Sequence, residues 1–263
     1  MKKENNSSKE YINDLEDKIL DLSIKLKNSV TNQKKENEAN ERLISKFLHN
    51  IKNPVGVAYS FSDMILSSKN YDDSEKLKKH VEIINDSTKF SIKLLNDFAV
   101  FRTVKSSEFK LDLKKCDYVK IVNEVIENCK EKAIKQGVSI KKQYLNNKLY
   151  VEVDEKYLKI ALKEIIENAI RFSQANAIIT INIVSNNGKI ETTIFDEGVG
   201  ISSENIKAVF DPFFVVNTYS LQKEKCVGLG LSVAKNIVNL HNGEISIQSE
   251  LGQGTNVKLV LNS

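Results

Sequence analysis

The sequence predicts a multidomain chain in which a long helical part precedes an α+β part. Three observations support this prediction. Apolar residues recur alternately three and four positions apart from Ile12 to Leu26, which is the heptad spacing of a coiled coil. A second heptad run extends from Leu77 to Phe98. After Ser106 the helical period stops and short alternating runs begin, so a coiled coil and a helical hairpin should precede a two-layer α+β sandwich.

The composition is that of an ordinary globular protein. The chain has 263 residues, of which 41% are hydrophobic and 28% are charged. Its net charge is +4, and the basic residues are interspersed with many acidic ones, so nucleic acid is not an expected partner. No stretch approaches the roughly 18 apolar residues of a membrane span, and the start lacks a secretory core; we expect a cytoplasmic chain without a membrane span. Paired metal-ligand spacing is absent among the cysteines, which should be reduced thiols: Cys116, Cys129 and Cys226.

The N-terminal heptad seam weakens before the second helical region begins. Its apolar positions are Ile12, Leu15, Ile19, Leu22 and Leu26. The same phase then meets Ser29 and Gln33, which are polar. Two interpretations stay open for residues 1–42: a dimeric coiled coil that passes a signal into the next helix, or an amphipathic helix that packs on its own chain.

A helix around His49 combines a potential phosphate acceptor with an apolar stripe. The stripe consists of Ile44, Leu48, Ile51, Val55 and Ala58. His49 and Asn53 are four residues apart and should project together from another face. An exposed neutral imidazole can attack phosphorus, and an amide one turn later can orient a water. An unremarkable helix can also carry a surface histidine. Pro54 should bend this helix without ending it.

A polar stretch at residues 67–73 separates this helix from the second heptad run. Two helices joined by a polar turn form an antiparallel hairpin, and two hairpins complete a four-helix bundle. Residues 43–105 therefore predict a homodimer. His80 lies in a charged stretch without a companion motif, so we interpret it as a surface residue rather than a second acceptor.

The remaining chain predicts helices interleaved with an antiparallel-looking sheet. Strands are expected at residues 109–113, 138–144, 149–153, 178–184, 189–195, 244–248 and 255–261. Helices are expected at residues 154–172 and 229–240. Another should begin after Asp117, a good N-cap, and close at Gly137.

Two motifs in this part predict a nucleotide pocket. Glu164, Asn168 and Arg171 share one helix face, where an amide oxygen can ligand magnesium and a guanidinium can neutralise phosphate. The run Asp-Glu-Gly-Val-Gly at residues 196–200 follows a strand, and its glycines let the backbone approach a flat ring. Asp196 can accept a hydrogen bond from an exocyclic amine, which favours adenine over guanine by roughly 1 to 3 kcal/mol.

Four further segments continue the pattern in a fixed order. Phe-Asp-Pro-Phe at residues 210–213 forms a rigid apolar hinge, and residues 216–225 have the composition of a lid, with Lys223 and Lys225 available for phosphates. Residues 227–231 open the last helix, whose free backbone N–H groups can meet phosphate. Residues 252–255 form a tight turn before the last strand. The order of these motifs, more than any one of them, predicts the site.

These motifs resemble those of the cytoplasmic transmitter of a sensor histidine kinase, over residues 43–263. The H, N, G1, F and G2 boxes of that family resemble residues 47–54, 162–172, 196–200, 210–213 and 228–231, respectively. The resemblance implies that residues 106–263 adopt the Bergerat ATP-binding fold and bind ATP and magnesium. It also implies that His49 is the phosphoacceptor, that Asn168 is the magnesium ligand and that Asp196 recognises adenine.

The motifs and the resemblance together predict a full set of ATP-binding residues. These are Glu164, Asn168, Arg171, Phe172, Asp196, Gly198, Gly200, Phe213, Lys223, Lys225, Gly228, Leu229, Gly230, Leu231 and Thr255. The catalytic set is His49, Asn50 and Asn53. The implied partner is the receiver aspartate of a separate response regulator, and an upstream sensor is a further candidate partner.

Two departures from the family pattern bear on activity. Asn50 stands where the family usually has Glu or Asp, and an amide cannot act as a base, which typically costs about 10² to 10⁴ in rate. Slow or absent autophosphorylation is therefore expected. Asn53, in contrast, matches the position where the family orients water to dephosphorylate its partner. Cys226 replaces a common lid glycine and should stiffen the lid edge.

Three functions follow from this sequence. The first is a homodimeric ATP-dependent histidine kinase that phosphorylates His49. The second is a degenerate kinase, with Asn50 in place of the base, that binds ATP and acts as a scaffold, phosphotransfer relay or response-regulator phosphatase. The third is a Bergerat-type ATPase without phosphotransfer, in which Glu164 activates water, although the histidine-bearing hairpin argues against it.

Overall fold

The computed structural model describes residues 2–67, 74–144, 148–216 and 225–262. Its helices are α1 (Lys2–Ser67), α2 (Ser74–Lys105), α3 (Tyr118–Gln136), α4 (Glu155–Phe172) and α5 (Gly230–Leu240). Its strands are β1 (Lys114–Asp117), β2 (Ser139–Lys142), β3 (Tyr150–Val153), β4 (Ile178–Asn186), β5 (Lys189–Asp196), β6 (Glu244–Glu250) and β7 (Gly254–Asn262). None of the described helices combines the length and the apolar composition that crossing a bilayer requires.

The chain divides into two compact units, Met1–His49 and Asn50–Ser263. The first unit is a single stretch of α1. Two apolar side chains of its predicted seam, Leu22 and Leu26, are 64% and 67% exposed in the single chain. The seam residues Ile12, Leu15 and Ile19 have side chains outside the described set.

The second unit begins with the rest of α1, followed by α2. Helix α1 continues through Pro54, as expected, and ends at Ser67. Residues 68–73, which hold most of the predicted turn, lie outside the described residues. The ring of Phe61 meets His80 edge-on at 5.0 Å between centroids, so His80 packs against the other helix of the pair.

A five-stranded sheet forms one layer of the sandwich. Its strand order is β2-β4-β5-β7-β6, and β1 pairs separately with β3. Alternate residues of the central strands are buried, among them Ile179 and Ile181 in β4, Ile194 in β5 and Leu259 in β7. This alternation gives the sheet one covered face. Helices α3, α4 and α5 pack against one another and form the second layer, which confirms the predicted two-layer sandwich.

Cap residues fix where α3 begins and ends. The Asp117 side chain accepts a hydrogen bond from the Lys120 N–H. Gly137 has φ 71° at the other end, and its N–H bonds to the last carbonyls of the helix. Both ends agree with the sequence prediction, because N-cap and αL residues act locally.

Two predictions about the sheet were wrong. Residues 109–113 are not a strand; the strand is β1, which pairs with β3. In the mispredicted segment, the Asp112 N–H bonds to the Asp154 carboxylate at 3.0 Å and the Phe109 ring packs on Tyr157. The sheet is also mixed rather than antiparallel, because β2 pairs with β4 in parallel. The intervening β3 and α4 supply the crossover that a parallel pair requires.

Candidate functional site

The second unit contains a cavity lined by α4, α5 and the strands β5, β6 and β7. Most of the predicted ATP-binding residues line it: Glu164, Asn168, Arg171, Phe172, Asp196, Gly200, Lys225, Gly228, Leu229, Gly230, Leu231 and Thr255. Gly198 and Phe213 support the lining without being part of it. Lys223 lies outside the described residues. The strands contribute apolar wall from Ile194, Ile247 and Val257, which suits the faces of a flat ring.

Helix α4 carries three of the polar side chains into the cavity. Its N-cap is Asp154, whose side chain accepts from the Tyr157 N–H. Its apolar face is buried, while Glu164, Asn168 and Arg171 line the cavity from the other face. The i, i+4, i+7 spacing therefore places one carboxylate, one amide and one guanidinium together, as predicted.

Asp196 is the most buried acid of the cavity, at 6% exposure. Burial raises the pKa of its carboxyl to about 6, although hydrogen bonds from the backbone of Gly198 and Thr255 partly oppose this rise. The Gly198 N–H donates to the carboxylate at 2.9 Å. A buried acceptor of this kind, aimed at an apolar cavity, suits a ligand with an amine donor.

The end of α4 and the Asp196 loop are tied together by close backbone contact. The Val199 N–H donates to the Phe172 carbonyl at 3.2 Å. A side chain at Gly198 would place its Cβ 2.5 Å from the same carbonyl, so only glycine fits. This contact joins the C-terminal end of α4 to the loop that follows Asp196.

The turn before β7 interlocks with the same loop. Gly200 has φ 68°, and a Cβ there would clash with the Glu250 carbonyl. The Ser249 hydroxyl accepts from the Ile201 N–H at 2.9 Å and donates to the Gly254 carbonyl at 2.7 Å. The two glycine motifs thus act as one structure, although they are about fifty residues apart in the sequence.

The segments that flank the predicted lid meet at the cavity. The Phe213 N–H donates to the Gly228 carbonyl at 2.8 Å. Phe213 has φ 62°, an unusual value for a bulky residue, and Gly228 has φ 74°. Lys225 lies with its ammonium 5.5 Å from the Phe90 ring centroid. Residues 217–224, most of the lid, lie outside the described residues.

The N-terminus of α5 opens into the cavity without a side-chain cap. Leu229 occupies the N-cap position and makes no side-chain cap hydrogen bond. Beside it, the Glu164 carboxylate occupies the space that a Cβ on Gly230 would need. Burial, chiefly, raises the pKa of Glu164, and the charge of Lys93 lowers it. The first turn of α5 thus lies at the cavity without a side-chain cap, and the Glu164 carboxylate lies next to the positive end of its helix dipole.

Sequence reasoning missed several apolar lining residues and two charged ones, Lys93 and Asp97 of α2. Their spacing of four resembles any surface ion pair, so no local signal marked them as part of a cavity. The predicted catalytic residues lie on α1: the side chains of His49 and Asn53 are exposed and that of Asn50 is partly buried. His49 ends the first unit and Asn50 begins the second.

Comparisons with known proteins identify the sandwich. Residues 153–263 match the family described as histidine kinase-, DNA gyrase B- and HSP90-like ATPase. Sensor histidine kinase YvrG of Bacillus subtilis (strain 168) is 25% identical over 242 residues, covering 91% of this chain and 41% of that protein. Sensor protein RprX of Bacteroides fragilis (strain YCH46) is 28% identical over 238 residues, covering 88% of this chain and 45% of that protein. The chain spans less than half the length of these relatives.

Solved structures share the fold. Histidine kinase AdeS of Acinetobacter baumannii superposes with a TM-score of 0.65 and 20% identity, covering 81% of this chain and 97% of that chain. Histidine kinase ThkA, solved in complex with the response regulator protein TrrA, gives a TM-score of 0.67 and 23% identity, covering 84% of this chain and 61% of that chain. ShkA, solved in complex with AMPPNP, gives a TM-score of 0.60 and 18% identity, covering 84% of this chain and 45% of that chain. Residues 153–263 therefore match the histidine kinase-, DNA gyrase B- and HSP90-like ATPase family, and the chain is similar to sensor histidine kinases over most of its length.

Proposed function

We propose that this chain is an ATP-dependent protein histidine kinase. In the reaction, the unprotonated ring nitrogen of His49 attacks the γ-phosphorus of ATP, the bond to the bridging oxygen breaks and ADP leaves, and the proton on the other ring nitrogen passes to water. The observation that carries the proposal is the cavity around the buried Asp196, because its acceptor and glycine-lined walls fit adenine. Residues 1–42 would form the signalling helix, residues 43–105 the histidine hairpin and residues 106–263 the ATP-binding domain.

Asn168 would provide the protein ligand for magnesium. Its amide lines the cavity one turn beyond Glu164, and magnesium typically takes one or two protein oxygens together with substrate phosphates and waters. The ion would neutralise charge on the phosphate oxygens. Arg171, on the same helix face, would screen the same charge.

A response regulator would be the phosphoryl acceptor downstream of His49. ThkA, which shares the fold, was solved bound to such a protein. His49 and Asn53 are exposed on α1, as transfer to another chain would require. Because the reaction consumes ATP, the proposal assigns the chain to the cytoplasm.

A homodimer would complete the helical part. Large apolar side chains remain exposed in the single chain on both hairpin helices, including Val55, Tyr59 and Met64 of α1 and Val81, Ile92 and Leu95 of α2. A second hairpin would cover them in a four-helix bundle.

The test is incorporation of acid-labile, alkali-stable label from γ-labelled ATP with magnesium. Wild type should be labelled slowly and His49→Gln should not be labelled. Asn50→Asp should be labelled about 10² to 10⁴ times faster, because the carboxylate restores the general base. Equal labelling of wild type and His49→Gln would overturn the proposal.

Asn50 also favours a second candidate, a degenerate kinase that binds ATP and removes phosphate from its partner. Its signature is an unlabelled wild type that binds ATP and gains labelling in Asn50→Asp. Loss of response-regulator dephosphorylation in Asn53→Ala, with ATP binding unchanged, would then assign the phosphatase role to Asn53.

A further inference from the structure

One wall of the nucleotide cavity comes from the helical hairpin. Lys93 and Asp97 of α2 line the cavity together with the side chains of the sandwich. On the same face of α2, the Phe98 ring packs at a tilt of 34° on the Phe213 ring, with 6.3 Å between ring centroids, and Phe90 lies under the Lys225 ammonium. Helix α2 thus contacts the chain on both sides of residues 217–224.

Lys93 and Asp97 form an ion pair on this wall. The Lys93 ammonium lies 2.9 Å from the Asp97 carboxylate, and the two side chains are 41% and 20% exposed. Both charges act on Glu164: Lys93 lowers the pKa of its carboxyl and Asp97 raises it. The pair therefore lies close to Glu164, which itself lies against the first turn of α5.

The charged side chains that line the cavity fall into two groups. Asp196 belongs to the adenine end by its burial and its partners. The second group contains the other two acids of the described lining, Asp97 and Glu164, and three cations. The cations are Lys93, Arg171 and Lys225. A triphosphate brings several negative charges to that end and needs cations that can turn towards it.

Lys93 is well suited to do so, because its present bond is weak. An ion pair between partly exposed side chains contributes little, whereas a charge-assisted hydrogen bond from an ammonium to a phosphate inside a cavity is much stronger. The lysine stem is flexible, so the ammonium can exchange partners without moving α2.

We propose that Lys93 is a phosphate-binding residue that the hairpin contributes to the nucleotide site, and that its ammonium moves from Asp97 to the terminal phosphates when ATP enters. This inference rests on the proposed ATP-binding function. It makes α2 a part of the nucleotide site as well as a packing element.

The test is calorimetric binding of ATP, ADP and adenosine with magnesium to the whole chain. Lys93→Met keeps the apolar stem and removes the charge. It should raise the dissociation constant for ATP about tenfold, raise that for ADP less and leave that for adenosine unchanged. Lys89→Met, an exposed lysine one turn earlier that does not line the cavity, is the matched control and should bind like wild type. Asp97→Asn releases Lys93 from its pair and should tighten ATP binding severalfold.

The outcomes distinguish failure of the proposed role of Lys93 from failure of the proposed kinase function. If wild type binds ATP and Lys93→Met binds it as tightly as Lys89→Met does, the role of Lys93 is refuted while the proposed kinase stands. A loss that is equal for ATP, ADP and adenosine would show a structural role and also refute it. Failure of wild type to bind ATP would overturn both. Retained adenosine binding verifies that each variant is folded.

Discussion

Asp196 lowers the stability of the native state at neutral pH. Burial raises the pKa of its carboxyl from 3.8 to about 6. Above this range, the unfolded chain carries an ionised carboxylate in water, whereas the native chain must hold it in an apolar cavity. The stability that the raised pKa contributes is present below pH 3.8 and is lost as the pH rises through about 6, at a cost of the order of 3 kcal/mol.

Asp196→Asn should therefore stabilise the nucleotide-free protein at pH 7.5, by about 1 to 3 kcal/mol in urea unfolding, with a much smaller gain at pH 4. The same variant should bind ATP at least tenfold more weakly, because a neutral amide is a poorer acceptor for the adenine amine. Equal stability of variant and wild type at pH 7.5 would contradict the burial argument.

Two glycines in one turn separate backbone strain from steric clash. Gly252 and Gly254 have φ of 81° and 89°, so alanine is strained at both. A Cβ on Gly252 meets nothing within 4 Å, whereas one on Gly254 would clash with the Asp196 carbonyl. Gly254→Ala should destabilise the fold by about 1 to 3 kcal/mol more than Gly252→Ala does, as measured by urea unfolding. Similar losses in the two variants would show that the turn yields to the extra methyl group.

At the scale of elements, His241 joins the end of α5 to the start of α4. Its Nε2 accepts from the Asp154 N–H at 3.0 Å, and its Nδ1 donates to the Ile237 carbonyl at 2.8 Å. This arrangement needs a neutral ring with the proton on Nδ1, because protonated Nε2 would face another N–H group. Burial, above all, lowers the pKa of His241 below 6.5.

Because of this lowered pKa, His241 is protonated more readily in the unfolded chain than in the native chain. The stability due to His241 therefore falls as the pH drops below 6.5. His241→Gln keeps an acceptor but does not titrate, so it should lose less stability than wild type between pH 7.5 and 5.5 in urea unfolding. Asp196 acts with the opposite sign in this range and is common to both proteins, so the difference isolates His241. Parallel losses in the two proteins would assign the acid sensitivity elsewhere.

Elements with local determinants could be predicted from the sequence. Helix α3 has its N-cap at Asp117 and its αL residue at Gly137, and both act within a few residues. The strand at residues 109–113 was mispredicted because alternation is local, whereas pairing depends on β3, which follows much later in the chain. Lys93 was missed for the same reason: its role depends on the α4 and α5 residues across the cavity.

At the scale of the whole molecule, most of the cavity could be predicted because its motifs keep a fixed order. Asp196 and Thr255 come from β5 and β7, which are adjacent in the sheet and face each other in register. The order of the motifs predicts this strand pairing only because the motifs resemble those of a family whose fold is known. The sequence does not predict that α2 lines the cavity, because a heptad pattern identifies an apolar helix face but not the element that packs against it.

The proposed dimer can be tested through the exposed apolar face of α2. Leu95 is 47% exposed in the single chain, and Leu95→Lys should weaken dimers by placing a charge in the bundle. Asn96→Lys, at the next exposed position, should leave them intact. Light scattering should give twice 29.8 kDa for wild type and a mass nearer 29.8 kDa for Leu95→Lys at low micromolar concentration. A wild-type mass of one chain would refute the four-helix bundle.

The position of Asp196 also bears on how the protein would respond to the energy state of a cell. Its carboxylate accepts a hydrogen bond from the Gly198 N–H, and in the proposed complex it contacts the base. ATP and ADP carry the same base, so this contact cannot separate substrate from product. ADP should therefore compete for the site, and the output of the proposed kinase should follow the ratio of ATP to ADP rather than the concentration of ATP alone.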